Sequence, residues 1–316
     1  MSTSLPPSDL PETELDSEDE AAIACVLVFN ASDPSGAGGI SADVLAIASV
    51  GAHALPVLTG AYARDTAQIF DFFPLNEEAV GDQARAILED VPPQVIKVGF
   101  AGSAENLSII AELTADYDGV PVVAYMPNLS WWEDDQIDQY LDAFRELLLP
   151  QTSILVGHHS TLRRWLLPDW SSEKNPGPRD IAKAAAELGV PYTLVTGLSS
   201  TDQQIDNVLA TPETVLGHEK FERIEAVFSG AGETLSAALA ALIATGLDLS
   251  AAASEALHYL DRCLDEGFRP GMGHVIPDRL FWALPDPDDE DGDASEAEGP
   301  DMNADFFEMP INETKH

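Results

Sequence analysis

Basic residues are scarce in this chain: Lys and Arg number 15 against 55 Asp and Glu in 316 residues, a formal net charge of -40. Such a balance repels nucleic-acid phosphates and anionic membrane surfaces alike, and argues against either as a partner. Cysteine is nearly absent too. Cys25 and Cys263 stand far apart in apolar segments without metal-type spacing, and read as two reduced thiols of a cytoplasmic protein. No stretch approaches the ~18 uninterrupted apolar residues of a membrane span. The first twenty residues are acidic, without a basic start and apolar centre, so the sequence predicts a soluble, untargeted chain.

Part of the acid excess lies at the ends. Residues 1–22 and 285–316 are acidic, rich in small residues and poor in branched apolar ones, the composition of disordered tails. Within the second, "PDDEDGDASEAE" puts Gly292 and Glu298 where a calcium loop has them. Pro287 occupies the first ligand position, however, and no amphipathic helices flank the stretch, which argues against calcium. The interior, read as one domain over 23–284, is still acidic. An acidic surface throughout suits a salt-rich cytoplasm, where screening removes self-repulsion. The melting temperature is therefore expected to climb between dilute buffer and molar potassium chloride; full stability in dilute buffer would rule this out.

Between the tails, apolar runs at 25–31, 54–62, 94–102, 120–126, 152–158, 191–198 and 224–230 alternate with segments of helical spacing. Continuous rather than alternating hydrophobicity marks strands covered on both faces. "SADVLAIASVGA" opens with Ser41 as an N-cap and ends at Gly51, while "ETLSAALAALIATG" sets Leu235, Leu239, Leu242 and Ile243 on one face and closes at Gly246. The expected fold is a three-layer α/β/α sandwich around a mostly parallel sheet.

Two glycine-rich turns fall where such sheets bind ligands, beyond the carboxyl ends of strands. "NASDPSGAGGISAD" follows the first apolar run but lacks the Gly-Lys-Ser/Thr ending of a phosphate loop. "SGAGET" follows "IEAVF": Ser229, Gly230, Ala231 and Gly232 lead into a helix beginning near Glu233. Small residues let backbone N–H groups approach an anion, and the helix dipole favours negative charge there. Glu233 has two readings, a helix-favouring acid or a base that takes the proton of a hydroxyl attacking a phosphoryl group held by those N–H groups.

"ASDPSGAGGISAD" resembles the "SDPSGGAGIQAD" opening of hydroxymethylpyrimidine/phosphomethylpyrimidine kinases, a ribokinase-like family, and "SGAGETLSAALAA" resembles their "GTGCTLSAAIAA" segment. "SVGAHALPVLTG", "VIKVGFAG" and "GMGHVIPDRL" are similar to further pieces in the same order, so the resemblance spans about residues 24–282. It implies transfer of the γ-phosphoryl group of ATP, with Mg2+, onto 4-amino-5-hydroxymethyl-2-methylpyrimidine or its monophosphate, in thiamine biosynthesis or salvage. Carried over by position, it implies that Asp33 lies by the substrate with Gly38 and Gly39 in the turn beneath it. Arg64 and Phe100 fall at ring-contacting positions, and Ser229, Gly230, Ala231 and Gly232 in the anion hole. Thr196 and Gly197 fall beside the nucleotide. Glu233 takes the place of the base, which is aspartate in sugar-type relatives and cysteine in many pyrimidine kinases. By resemblance alone, a homodimer is also expected.

The chain departs from that pattern in places. Arg64-Asp65-Thr66 stands where the family has Gln-Asn-Thr or Gln-Asp-Thr, and arginine only donates whereas a glutamine amide also accepts. A kinase of another small alcohol, such as a pyridoxal-like vitamin, therefore stays open. His158 and Thr161 replace the Asn and Glu that arrange the metal, and no aspartate lies near Tyr125, which leaves a non-catalytic pyrimidine-binding protein as a further alternative. His158 and His159, being adjacent at a strand end, are expected to point apart. Trp131 and Trp132 read as a lid or surface packing, and Lys97 as a solvated strand-end lysine. Arg163 and Arg164 beside Trp165 read as part of a helix at the domain edge.

Overall fold

A computed structural model describes residues 23–283 apart from residue 202; both acidic tails and the calcium-like stretch lie outside the described residues. The described residues up to Phe281 belong to one compact unit. Its centre is β1 (Cys25–Ser32), whose Val26 and Val28 face one helical layer while Leu27 and Phe29 face the other, all fully buried. That two-sided burial is why the strand reads as a continuous apolar run.

The chain continues through α1 (Gly39–Ser49), β2 (His53–Arg64), β3 (Ile69–Pro74), α2 (Glu77–Leu88), β4 (Val95–Val98), α3 (Ala104–Ala115), β5 (Val122–Tyr125) and α4 (Asp134–Ala143). Then come β6 (Ile154–His158), α5 (His159–Leu166), α6 (Pro178–Ala186), β7 (Tyr192–Thr201), β8 (Gln204–Ala210), β9 (Val215–Glu222), α7 (Ala231–Ala244) and α8 (Leu249–Asp265). Among the described residues nine strands form one sheet, ordered β3-β2-β1-β4-β5-β6-β7-β8-β9. From β2 to β7 neighbours run parallel, and β3, β8 and β9 add antiparallel pairs at the two edges. One face carries α1, α7 and α8 and the other α2 to α6, giving the expected three layers.

α7 is buried on every side from residue 234 to residue 241, because α1 and α8 flank it and the sheet lies beneath. Its alanines let those neighbours approach, so the burial extends well beyond the face holding Leu235 and Leu239.

Some expectations need correction. The run 224–230 is not a strand of the sheet: Phe228 makes only an isolated bridge to Val275, and Val227 is 61% exposed. With Glu225 beside it, this segment cannot be covered on both faces, and it serves as the approach to α7. The edge strands β3 and β9, and β8 beside β9, escaped notice because none carries a long continuous apolar run; no residue of β9 is fully buried. α1 begins at Gly39 with Gly38 as its N-cap rather than at Ser41, and α7 begins at Ala231, two residues before Glu233.

Candidate functional site

Two helix entrances meet just past the carboxyl end of β1. The loop into α1 is drawn into shape by Asp33, whose oxygens accept from Ser35 N (2.8 Å), Ser35 Oγ (2.6 Å) and Gly38 N (2.9 Å). Asp33 also pairs with Arg64 Nη1 at 3.0 Å, while Arg64 Nη2 donates to Ser229 Oγ at 3.1 Å. Arg64 thus spans from the first glycine turn to the second.

The second turn needs its glycine. Gly230 is the N-cap of α7 at φ 88°, and a Cβ there would fall 1.6 Å from the carbonyl oxygen of Ala37. The first N–H groups of any helix lack intrahelical partners, so the 231–233 backbone offers donors to an anion. Tyr125 closes this turn from β5: a Cβ on Gly232 would meet its hydroxyl at 2.5 Å. Burial, and then the Glu233 charge, raise the Tyr125 phenol, which keeps it protonated.

Glu233 is half-buried and bends toward the α1 entrance, where the Gly39 N–H donates to its carboxylate and Asn30 Nδ2 lies 3.4 Å from Oε1. Burial raises its pKa above the ordinary value of 4.5, Lys97 opposes the rise, and Asp43 and Asp33 add to it. A base must be ionised to accept a proton, so activity is expected to fall as pH drops through this raised value. The acid limb should therefore lie above that of a free glutamate.

Sequence reasoning missed two groups. Lys97 is not solvated: it is fully buried, with Nζ 2.7 Å from Oδ1 of the equally buried Asp43. It lies on the α1 and α7 face of a central strand, where a charge can be kept only in a pair. Arg279, 4% exposed, donates from Nε to Thr234 Oγ1 (3.0 Å), from Nη1 to Gly36 O (3.2 Å) and from Nη2 to Ala37 O. It ties the two entrances together. Its one sequence signal was an arginine in a chain with few of them, inside "GMGHVIPDRL".

Phe100 is 1% exposed and packs against Tyr62, Phe72, Trp131, Trp132 and Tyr140, with centroids 4.9 to 5.8 Å away. The half-buried members, Tyr62, Trp131 and Trp132, leave some aromatic surface uncovered for a planar ring. Thr196 and Gly197 line a cavity of about 360 Å³ that also touches His158, Asn207, Phe228 and Ala231, and so reaches the start of α7. Its size falls at the small end of those that hold small-molecule ligands. His158 caps α5 through Ser160 N, partial desolvation of its ring and then His159 lower its pKa, and the ring of His159 turns to Pro176 O. The two histidines do point apart. Trp165 of α5 is buried, and the Arg164 guanidinium lies 5.9 Å from its ring centroid.

Among the described residues no three His, Cys, Asp or Glu side chains cluster as metal ligands. Asp33 is taken by Arg64 and loop N–H groups, Asp43 by Lys97, and Glu233 by Gly39. A protein-held Mg2+ does not fit this donor set. Mg2+ is often carried mainly by substrate phosphates and water, with few protein ligands.

A family model described as phosphomethylpyrimidine kinase matches residues 33–278. The hydroxymethylpyrimidine/phosphomethylpyrimidine kinase of Mycobacterium leprae is 25% identical over 263 residues, covering 81% of this chain and 94% of that protein. A chloroplastic thiamine biosynthetic bifunctional enzyme of Arabidopsis thaliana is 27% identical, covering 83% of this chain and 51% of that protein. Among solved structures, an ADP complex of Bacillus subtilis pyridoxal kinase superposes with a TM-score of 0.73 at 21% identity, covering 84% of this chain and all of that one.

Proposed function

The chain belongs to the phosphomethylpyrimidine kinase family, and on that premise we propose that it moves the γ-phosphoryl group of ATP onto the hydroxymethyl group of 4-amino-5-hydroxymethyl-2-methylpyrimidine or its monophosphate. The observation that supports this best is the meeting of three things at the start of α7: donor N–H groups after Gly230, the Glu233 carboxylate, and the cavity reaching Ala231. ATP would lie in the cavity with its terminal phosphate on the 231–233 N–H groups. The acceptor would lie over the first glycine turn against the aromatic cluster.

In this arrangement the chain orients the two reactants and Glu233 removes the hydroxyl proton as the oxygen attacks phosphorus. Donors fixed by Gly230 and Arg279 need not reorganise as charge shifts in the transition state. Mg2+ neutralises charge on the nucleotide phosphates when bound. A cytoplasmic location and a homodimeric state are part of the proposal, to be checked by fractionation and light scattering.

The test is product formation by mass spectrometry from ATP, Mg2+ and the hydroxymethylpyrimidine, in low and in molar salt. A phosphorylated pyrimidine is expected. Pyrimidine bound with ATP left intact in both salts would favour the non-catalytic alternative.

Arg64 refines the acceptor. Its guanidinium stands between the substrate loop and Ser229, where a charge-assisted hydrogen bond to an acceptor phosphate adds ~1.5 kcal/mol or more. Arg64→Gln is therefore expected to lower the preference for monophosphate over free pyrimidine, in kcat/KM, by about tenfold. An unchanged ratio would remove Arg64 from the choice of substrate.

A further inference from the structure

Beneath Glu233 lies a set of buried polar groups that the phosphoryl transfer itself does not touch. Lys97 of β4 and Asp43 of α1 are fully buried and 2.7 Å apart. Asn30 of β1 donates from Nδ2 to the second oxygen of Asp43 at 2.7 Å and faces Glu233 Oε1 at 3.4 Å. Its own carbonyl accepts the N–H groups of Ala31 (2.9 Å) and Phe100 (3.1 Å), so the amide cannot turn freely. Gly99 leaves the room this side chain occupies, since a Cβ there would come within 2.6 Å of the amide.

Stability does not account for the set. A buried ion pair is costly to desolvate, and apolar side chains of the same volume often hold a core as well or better. What apolar residues would not supply is a line of polar contacts from the pair to the carboxylate at the entrance of α7. We propose that Lys97, Asp43 and Asn30 are positioning residues that hold the Glu233 carboxylate in place and set its charge from below. The inference rests on Glu233 being the base.

The charged and titratable groups facing Glu233 are Asp33 from the loop, Asp43 from α1, Tyr62 from β2, Lys97 from β4, Tyr125 from β5 and Arg279 from the segment after α8. Among the charges acting on Glu233, Lys97 has the largest influence and favours ionisation, whereas Asp43, the next, opposes it. Removing either partner therefore has a predictable sign. Without Lys97 the Glu233 carboxyl should hold its proton to higher pH, even if Asp43 then takes up a proton of its own. Without the Asp43 charge, the buried Lys97 ammonium keeps its charge only by pairing with Glu233 instead, and the Glu233 proton should then leave at lower pH.

The experiment is the pH profile of kcat/KM for the native protein, Lys97→Met, Asp43→Asn and the double variant Lys97→Met/Asp43→Leu, with Glu233→Gln as reference and circular dichroism to check folding. The acid limb should move up by about one pH unit in Lys97→Met and down in Asp43→Asn. A merely structural role lowers activity in both without opposite displacements, so limbs that stay put or move the same way overturn the proposal. If a single variant does not fold, the double variant decides: its limb should lie above the native one, and a native limb there overturns the proposal. Should Glu233→Gln retain native turnover, the base assignment fails. An inactive Glu233→Gln with limbs indifferent to residues 43 and 97 retains the base and removes the positioning role.

Discussion

Glu233→Ala is expected to lower turnover by about 10²- to 10⁴-fold while the protein stays folded, the usual range for losing a general base. The side chain is half-buried with a raised pKa, so deleting it removes a group whose ionisation burial opposes. Stability should hold or rise above neutral pH, where the native chain keeps that charge against the burial cost. A subtler replacement separates position from chemistry. Gly38 has an extended backbone, φ -135° and ψ -154°, that alanine adopts without strain. Its new Cβ would nevertheless fall 1.9 Å from Glu233 Oε2 and push the carboxylate aside. Misplacement on the order of 1 Å can cost about a hundredfold, so Gly38→Ala should fold normally and turn over about a hundred times more slowly. Single-turnover rates and melting curves on both variants check this, and native rates in Gly38→Ala would show that Glu233 tolerates displacement.

The second large effect is structural. Gly230→Ala forces a side chain onto a left-handed residue, at about 1–2 kcal/mol, and drives its Cβ to 1.6 Å from Ala37 O and 2.9 Å from Arg279 Nη2. Neither neighbour can yield cheaply, because one is backbone and the other is tied to Gly36, Ala37 and Thr234. The two entrances have to part. A loss of about 3 kcal/mol is expected, which for a domain of this size is a drop in Tm of about 6 °C. A shift under about 2 °C would mean the turn adjusts without cost. Gly51 makes a control: its φ is also positive, at 90°, but nothing stands within 4 Å of its Cβ position, so Gly51→Ala should cost only the backbone strain.

What could be read in advance follows from how local each signal is. The layers and the parallel centre were legible because strands buried on both faces, like β1 with its run Val26 to Phe29, are apolar at successive positions. The antiparallel edges were not, since β9 has only partly covered and open positions and mixes Val215, Leu216 and Phe221 with His, Glu and Lys. The same limit applied at the site. Asp33, Gly38, Gly39 and the 229–233 turn stand in two short motifs whose glycines and acids are unusual in their windows. Lys97 and Arg279 act over separations of 54 residues to Asp43 and 45 to Thr234, and no window reports a partner that far away. Their burial is a product of the assembled sheet. The misread run 224–230 shows the converse, a locally apolar stretch whose Glu225 and exposed Val227 leave it no place in a doubly covered layer.

Arg279 also bears on the order in which the molecule comes into being. Its guanidinium stitches residues 36 and 37 to residue 234, yet it comes after α8 in the chain. As the polypeptide leaves the ribosome, β1, α1 and most of the sheet are available long before that stitch can be made. Until then the loop at 33–38 is held by Asp33 alone, without its tie to the entrance of α7. A nascent chain stalled short of residue 279 should therefore hold its sheet while lacking a competent phosphate turn, so that competence follows the sheet rather than forming with it.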